Sequence, residues 1–220
     1  MSDRVERFSA LAGVLAVVLW ALGVVVIGGG HLGLPGGVPE ETADDVLAHF
    51  RDNADAAVAG GWLFMLGSLA FLWFAGILRG RLHAAEGERA TFTSIAFAGG
   101  VATGVFAVAL PTGGVVAGLG VDQLGAPQAA ALNALETAFF IGAELAAIVL
   151  LAAGAVVALR TAVLPRWWAA VSILLAVWLV IGPIGWIGLL AGLPLWTLVT
   201  SLLLFRKAAD SEPVPARAHP

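Results

Sequence analysis

Cysteine is absent from all 220 residues. That excludes disulfides, thiolate metal centres, iron–sulfur clusters and cysteine nucleophiles. Charge is scarce as well. Asp, Glu, Lys and Arg make up 12% of the chain, about half the ~25% carried by soluble domains. Lysine occurs once, as Lys207. There is no phosphate-binding loop, dinucleotide fingerprint, H-E-x-x-H or G-x-S-x-G motif. No basic patch or aromatic platform points to nucleic acid. No pair of histidines falls within an apolar segment to ligate a haem. No cofactor and no bound metal are expected, and no residue qualifies as catalytic.

What the chain has instead is apolar surface. Hydrophobic residues make up 60% of the sequence, and the mean hydropathy is +0.96. A soluble fold of this size cannot hide so much, because a folded monomer still turns a large area toward water. Lipid removes that difficulty. Several apolar runs approach the ~20 residues that cross a ~30 Å hydrocarbon core. The expected fold is all-α: a polytopic membrane helical bundle of six transmembrane helices with both termini inside. The spans fall at about 9–29, 57–78, 92–118, 134–159, 165–181 and 186–205. The apolar region 165–205 would form one helix of about 60 Å, twice the core thickness, so it must fold back at Gly182, Pro183 and Gly185. Residues 1–207 then form a single transmembrane domain, and the Pro-containing stretch 208–220 a disordered cytoplasmic tail. The run from Leu11 to Ile27 exceeds a signal-peptide core and lacks a small-residue cleavage site. It reads as an uncleaved first span.

The arginines give an independent indication of sidedness. With the N-terminus inside, Arg4, Arg7, Arg79, Arg81, Arg89, Arg160, Arg166, Arg206, Lys207 and Arg217 are cytoplasmic, and only Arg51 is external. That is the positive-inside bias. Trp167 and Trp168 suit the inner interface, and Trp62 and Trp186 the outer one. The abundance of Ala, Gly and Val and the preference for Arg over Lys fit a GC-rich bacterial genome. Gly100/Gly104, Gly114/Gly118 and Gly188/Gly192 are each four apart, the spacing that lets helix backbones approach in lipid. Close packing within the chain explains them more simply than dimerisation. Pro111 should kink the third span, and the freed backbone can turn to the Thr112 hydroxyl.

The only sizeable extramembrane segment is 30–56. Its second half opens with Thr42-Ala43-Asp44-Asp45, a capping-box pattern. A short amphipathic helix should follow in this outer loop between spans 1 and 2, with Val46, Leu47 and Phe50 on its apolar side. Asp45, His49 and Asp52 share another side. That trio can hold a divalent cation or sense pH through His49, but an ordinary solvated face explains it as well.

Inside the spans one acid stands out. Glu144 lies about ten residues in from the outer end of span 4, and Asn133 and Thr137 fall within about 40° of it on the helix. A charge at such depth costs roughly 3 kcal/mol on insertion scales, so the neutral carboxyl is expected. Its expected partners are hydroxyls or an indole N–H from another helix, such as Ser68, Thr103, Thr112 or Thr200. The functional alternative is a proton-relay or ligand-binding carboxylate. The structural one is a neutral carboxyl that fixes helix packing.

Residues Glu41 to Glu88 have a characteristic cadence. The acidic loop segment leads to Gly61-Trp62, Leu72-Trp73-Phe74, Leu78-Arg79-Gly80-Arg81-Leu82 and Ala84-Ala85-Glu86-Gly87. Leu164-Pro165-Arg166-Trp167, Leu195-Trp196 and Ser201-Leu202-Leu203 follow. Over about residues 8–207 the chain resembles uncharacterised multi-pass membrane proteins of actinobacteria, a domain of unknown function. The resemblance implies a plasma-membrane helical bundle in contact with membrane lipids, and implies no activity. The expected role is a non-enzymatic accessory or sensory membrane component. Two alternatives stay open: a small transporter or proton-coupled carrier using Glu144, and a membrane-embedded enzyme acting on lipid.

Overall fold

The computed structural model describes residues 11–28 and 42–210. The stretches 1–10, 29–41 and 211–220 lie outside the described residues, and with them the first half of the 30–56 loop and most of the 208–220 tail. Every regular element described is helical. In chain order they are α1 (Ala12–Ile27), α2 (Ala43–Asp52), α3 (Ala54–Glu86), α4 (Thr91–Ala109), α5 (Thr112–Leu119), α6 (Ala126–Thr161), α7 (Arg166–Val180) and α8 (Gly182–Ile187). A π-turn, Gly188–Gly192, joins α8 to α9 (Leu193–Asp210).

Among the described residues, four helical stretches are long and apolar enough to cross a membrane: Ala54–Glu86, Thr91–Leu119, Ala126–Thr161 and Ile184–Lys207. The shorter apolar helices α1 and α7 have 16 and 15 residues. Two of the long helices outrun the hydropathy signal. α3 continues past Arg79 to Glu86, and α6 begins at Ala126 rather than near 134. At the second site Pro127 occupies the first turn, where its missing N–H is no loss. Apolar length therefore marks where lipid can be crossed, not where helix hydrogen bonding stops.

Two helices are interrupted, both at proline. The third apolar segment breaks at Leu110–Pro111, between α4 and α5. There the Thr112 hydroxyl donates to the Ala109 carbonyl, not to the Ala107 carbonyl that Pro111 deprives of its helical donor. The fold-back of 165–205 lies at Ile181–Gly182, just before Pro183. It is followed by the π-turn between Gly188 and Gly192, whose missing side chains make room for Leu175 and Leu179 of α7.

Neighbouring helices pair as hairpins: α1 on α3, α4 on α6, and α7 against α8 and the π-turn; α3 also lies on α4, and α6 on α7. Glycines set the closest crossings. A carbon built on Gly23 would stand 2.8 Å from the Gly60 carbonyl oxygen, and one on Gly60 2.7 Å from the Gly23 carbonyl oxygen. Backbone meets backbone there, so neither position admits a side chain without moving a helix. Gly99 meets the backbone of Ala146 and Leu150 in the same way. Gly100 packs on Ala75, Gly104 on Leu72 and Gly118 on Val58. All are contacts within the chain.

Three indoles in the interior are paired across helices. Trp20 Nε1 on α1 donates to Ser68 Oγ on α3 at 2.9 Å. On the other side of the bundle, Trp168 Nε1 donates to Thr200 Oγ1 and Trp196 Nε1 to Ser172 Oγ, each at 2.8 Å. In a medium without water such bonds prevent the loss that an unpaired buried donor would bring. The outward faces are the reverse of a soluble protein's. Leu15, Val25, Trp73, Val105, Leu145, Leu174 and Val180 are exposed, and among the described residues no helix longer than α2 shows a polar side opposite an apolar one. A surface apolar on all sides is what a lipid-facing bundle carries.

α2 differs. Thr42 and Asp45 form a reciprocal capping box, so this helix begins for a local reason. Val46, Leu47 and Phe50 are buried against Ala117 of α5 and Ala129 of α6, forming a small second core. The helix therefore seals one end of the bundle.

Candidate functional site

Among the described residues, three acidic side chains close helix N-termini, where four backbone N–H groups lack helical partners. Asp45 caps its own helix. Its carboxylate accepts from the Thr42 N–H at 3.0 Å and from the Thr42 hydroxyl at 2.6 Å, and these bonds hold it below the usual aspartate range despite a small opposing effect of burial. Glu86, at the end of α3, reaches across the short connection to α4. It accepts from the Phe92 N–H at 3.0 Å and from the Thr93 N–H and hydroxyl, each at 2.7 Å. Glu136 on α6 closes the break in the third segment, its Oε1 accepting the Gly114 N–H at 2.6 Å.

The Glu136 contact is allowed by two glycines. A carbon on Gly113 would stand 2.8 Å from Glu136 Cγ and 2.7 Å from the Leu132 carbonyl oxygen, and one on Gly114 3.3 Å from Glu136 Oε1. Pro111 starts the break, Gly113 and Gly114 let α6 come close, and Glu136 supplies the acceptor. Sequence reasoning passed over this residue. The usable signal was Pro111-Thr112-Gly113-Gly114 in one arm of a hairpin with a lone acid in the other.

Glu144 is different. It sits two turns further along α6, and its Oε1 is buried with no hydrogen-bond partner among the described residues. The expected partners are engaged elsewhere: Ser68 with Trp20, Thr200 with Trp168, Thr103 with the Gly99 carbonyl and Thr112 with the Ala109 carbonyl. The indoles are engaged as well: those of Trp20, Trp168 and Trp196 donate to hydroxyls, and Trp178 Nε1 donates to the Ile184 carbonyl at 3.0 Å. What Glu144 does meet is the α7–α8 break. A carbon built on Gly185 would overlap Glu144 Oε1 and stand 2.9 Å from the Leu179 carbonyl oxygen. Asn133 and Thr137 share the face of α6 but do not join Glu144. The Thr137 hydroxyl donates back to the Asn133 carbonyl at 3.2 Å.

The Asp45, His49 and Asp52 trio is not brought together as a ligand set. Asp45 is committed to Thr42, the His49 ring lies beside Phe50 at 6.2 Å between centroids, and no group of three or more His, Asp or Glu suited to a metal occurs among the described residues. A cavity of about 270 Å³ lies between α1, α3, α4 and the π-turn, lined by residues including Trp20, Phe64, Leu110, Ala143 and Leu189. Its walls are almost wholly apolar, and Glu144 is not among them.

Comparison with known proteins finds no matching family model, no matching curated protein and no matching solved structure. The case for a role therefore rests on the geometry.

Proposed function

We propose that the chain is a multi-pass protein of the bacterial plasma membrane that crosses six times with both ends cytoplasmic. We propose further that it acts as a non-enzymatic accessory or sensory component. The apolar helices support a membrane location, and the Arg distribution supports the sidedness. α1 and α7, at about 24 and 23 Å, reach across when flanking interfacial residues are counted. With Arg160 at the inner boundary, a ~30 Å core extends along α6 to about Phe140. Glu136 then lies at the outer headgroup level, and Glu144 roughly 6 Å inside it, nearer the outer face than mid-depth. The cadence of residues 41–88 supports grouping the chain with the uncharacterised actinobacterial membrane proteins it resembles.

The observation that carries the non-enzymatic reading is the setting of Glu144. Its carboxyl is wedged against the backbone at Gly185, with no second polar side chain bonded to Oε1, and the neighbouring cavity is apolar. A lipid-processing centre needs a second positioned group. A proton-coupled carrier is the second reading, favoured by the two proline breaks, each facing a carboxylate of α6, since broken helices commonly build transport sites. The test is purified protein in sealed vesicles under an imposed pH gradient with a trapped pH dye. No Glu144-dependent proton flux is expected. Flux abolished by Glu144→Gln would replace the sensory reading with the carrier.

A further inference from the structure

We infer that Glu144 and the broken end of α7 form a proton-binding site, with the acid's O–H donated to the Leu179 carbonyl. In an unbroken helix that carbonyl would accept from residue 183. Residue 183 is proline and has no N–H to give. The Ile181 carbonyl meanwhile takes both following amides, Ile184 N–H at 3.0 Å and Gly185 N–H at 2.9 Å. Pro183 thus removes the donor that an unbroken helix would offer the Leu179 oxygen, which lies beside the small space that Gly185 keeps open.

Glu144 Oε1 borders the same space and has no hydrogen-bond partner among the described residues. Two acceptor oxygens brought to one small space repel unless a donor lies between them. A protonated carboxyl brings one O–H and turns the repulsion into a bond. A hard metal cation would satisfy both oxygens too, but such ions take about six or more oxygen ligands, and two are at hand.

Among the described residues, the helices packed against Glu144 bring no other titratable side chain to the proton. Residues 11–28, 56–78, 91–121 and 167–205 contain no Asp, Glu, His, Lys or Arg. On α6 itself, Glu136 is bound to Gly114, and Arg160 lies four turns away beside Phe92. Protonation therefore ties α6 to the end of α7, and loss of the proton to solvent leaves an unpaired carboxylate against a carbonyl and drives the break apart. This deepens the sensory reading, on which it rests, by naming the stimulus: proton activity at the outer face.

The test is infrared spectroscopy of the full chain in phosphatidylglycerol–phosphatidylethanolamine vesicles. A hydrogen-bonded carboxylic-acid C=O band is expected at pH 7, identified by its shift in D2O and its loss in Glu144→Gln. Gly185→Ala, which puts a methyl into the shared space, should shift that band. The spectrum should be the same in sodium and in N-methylglucamine buffers. Absence of a Glu144-dependent band at pH 7, a band that Gly185→Ala leaves unmoved, or a band that sodium removes would each overturn the proposal. If Glu144→Gln does not fold, carboxyl-labelled glutamate combined with Gly185→Ala supplies the same assignment. The band is independent of which way the chain faces, so its failure is separable from an error in topology, which a reporter fused after Lys207 reads.

Discussion

Glu136→Ala should cost the bundle about 2 kcal/mol. The working is direct. The wild-type bond from the Gly114 N–H to Glu136 Oε1 is short, 2.6 Å, and Gly114 is buried. Removing the carboxyl group leaves that N–H unsatisfied at the start of α5, and an orphaned buried donor costs about 1–3 kcal/mol. Glu136→Gln keeps a carbonyl acceptor in place, so about 1 kcal/mol or less should be lost. The assay is reversible unfolding in mixed micelles with rising dodecyl sulfate, followed by circular dichroism. The reasoning fails if Glu136→Ala is as stable as wild type, or if the alanine and glutamine variants are equally affected.

Three other outcomes follow from the same contacts. Gly23→Ala places a carbon 2.8 Å from the Gly60 carbonyl oxygen and should cost about 1–3 kcal/mol by overpacking, whereas Gly154→Ala, with nothing within 4 Å, should be neutral or slightly stabilising in the same unfolding assay. Thr200→Val and Trp168→Phe should each cost about 1–2 kcal/mol, and the double variant less than their sum, because both remove one bond. Because Asp45 is held below the ordinary aspartate value by Thr42, its folded carboxylate gives up its charge at lower pH than the unfolded one. Its contribution to α2 is complete above about pH 4 and is lost as pH falls through the lowered folded value. Amide exchange across 43–52 should accelerate in that acid range, and Thr42→Ala should abolish the dependence.

How much of this was legible in the sequence depends on the range of the cause. The Thr42–Asp45 box is written in four consecutive residues and could be read. So could the apolar segments, since hydropathy sums over a window, and the breaks at Pro111 and Gly182–Pro183, since proline acts on its own backbone. Glu144 stood out because nothing else charged lies near it in sequence. Its surroundings did not. Which hydroxyl meets which indole depends on the level at which two helices cross, and the pairs Trp20–Ser68 and Trp168–Thr200 span 48 and 32 residues. Glu136 was hidden for a related reason. It lies at the edge of the apolar window, and its role exists only because α5 starts opposite it. The π-turn at Gly188–Gly192 was equally illegible, being fixed by how Leu175 and Leu179 of α7 pack.

The central claim is that these helices have lipid as their solvent and thread it six times from the inside. The chain has no cysteine, so single-cysteine variants report without background. The direct measurement is labelling of intact cells with a membrane-impermeant maleimide at Arg51→Cys, Asp122→Cys, Glu88→Cys and Arg206→Cys, all exposed positions. The account predicts labelling at 51 and 122 from outside, and at 88 and 206 only after the membrane is permeabilised. Labelling of 206 in intact cells, or protection of 122, would contradict it.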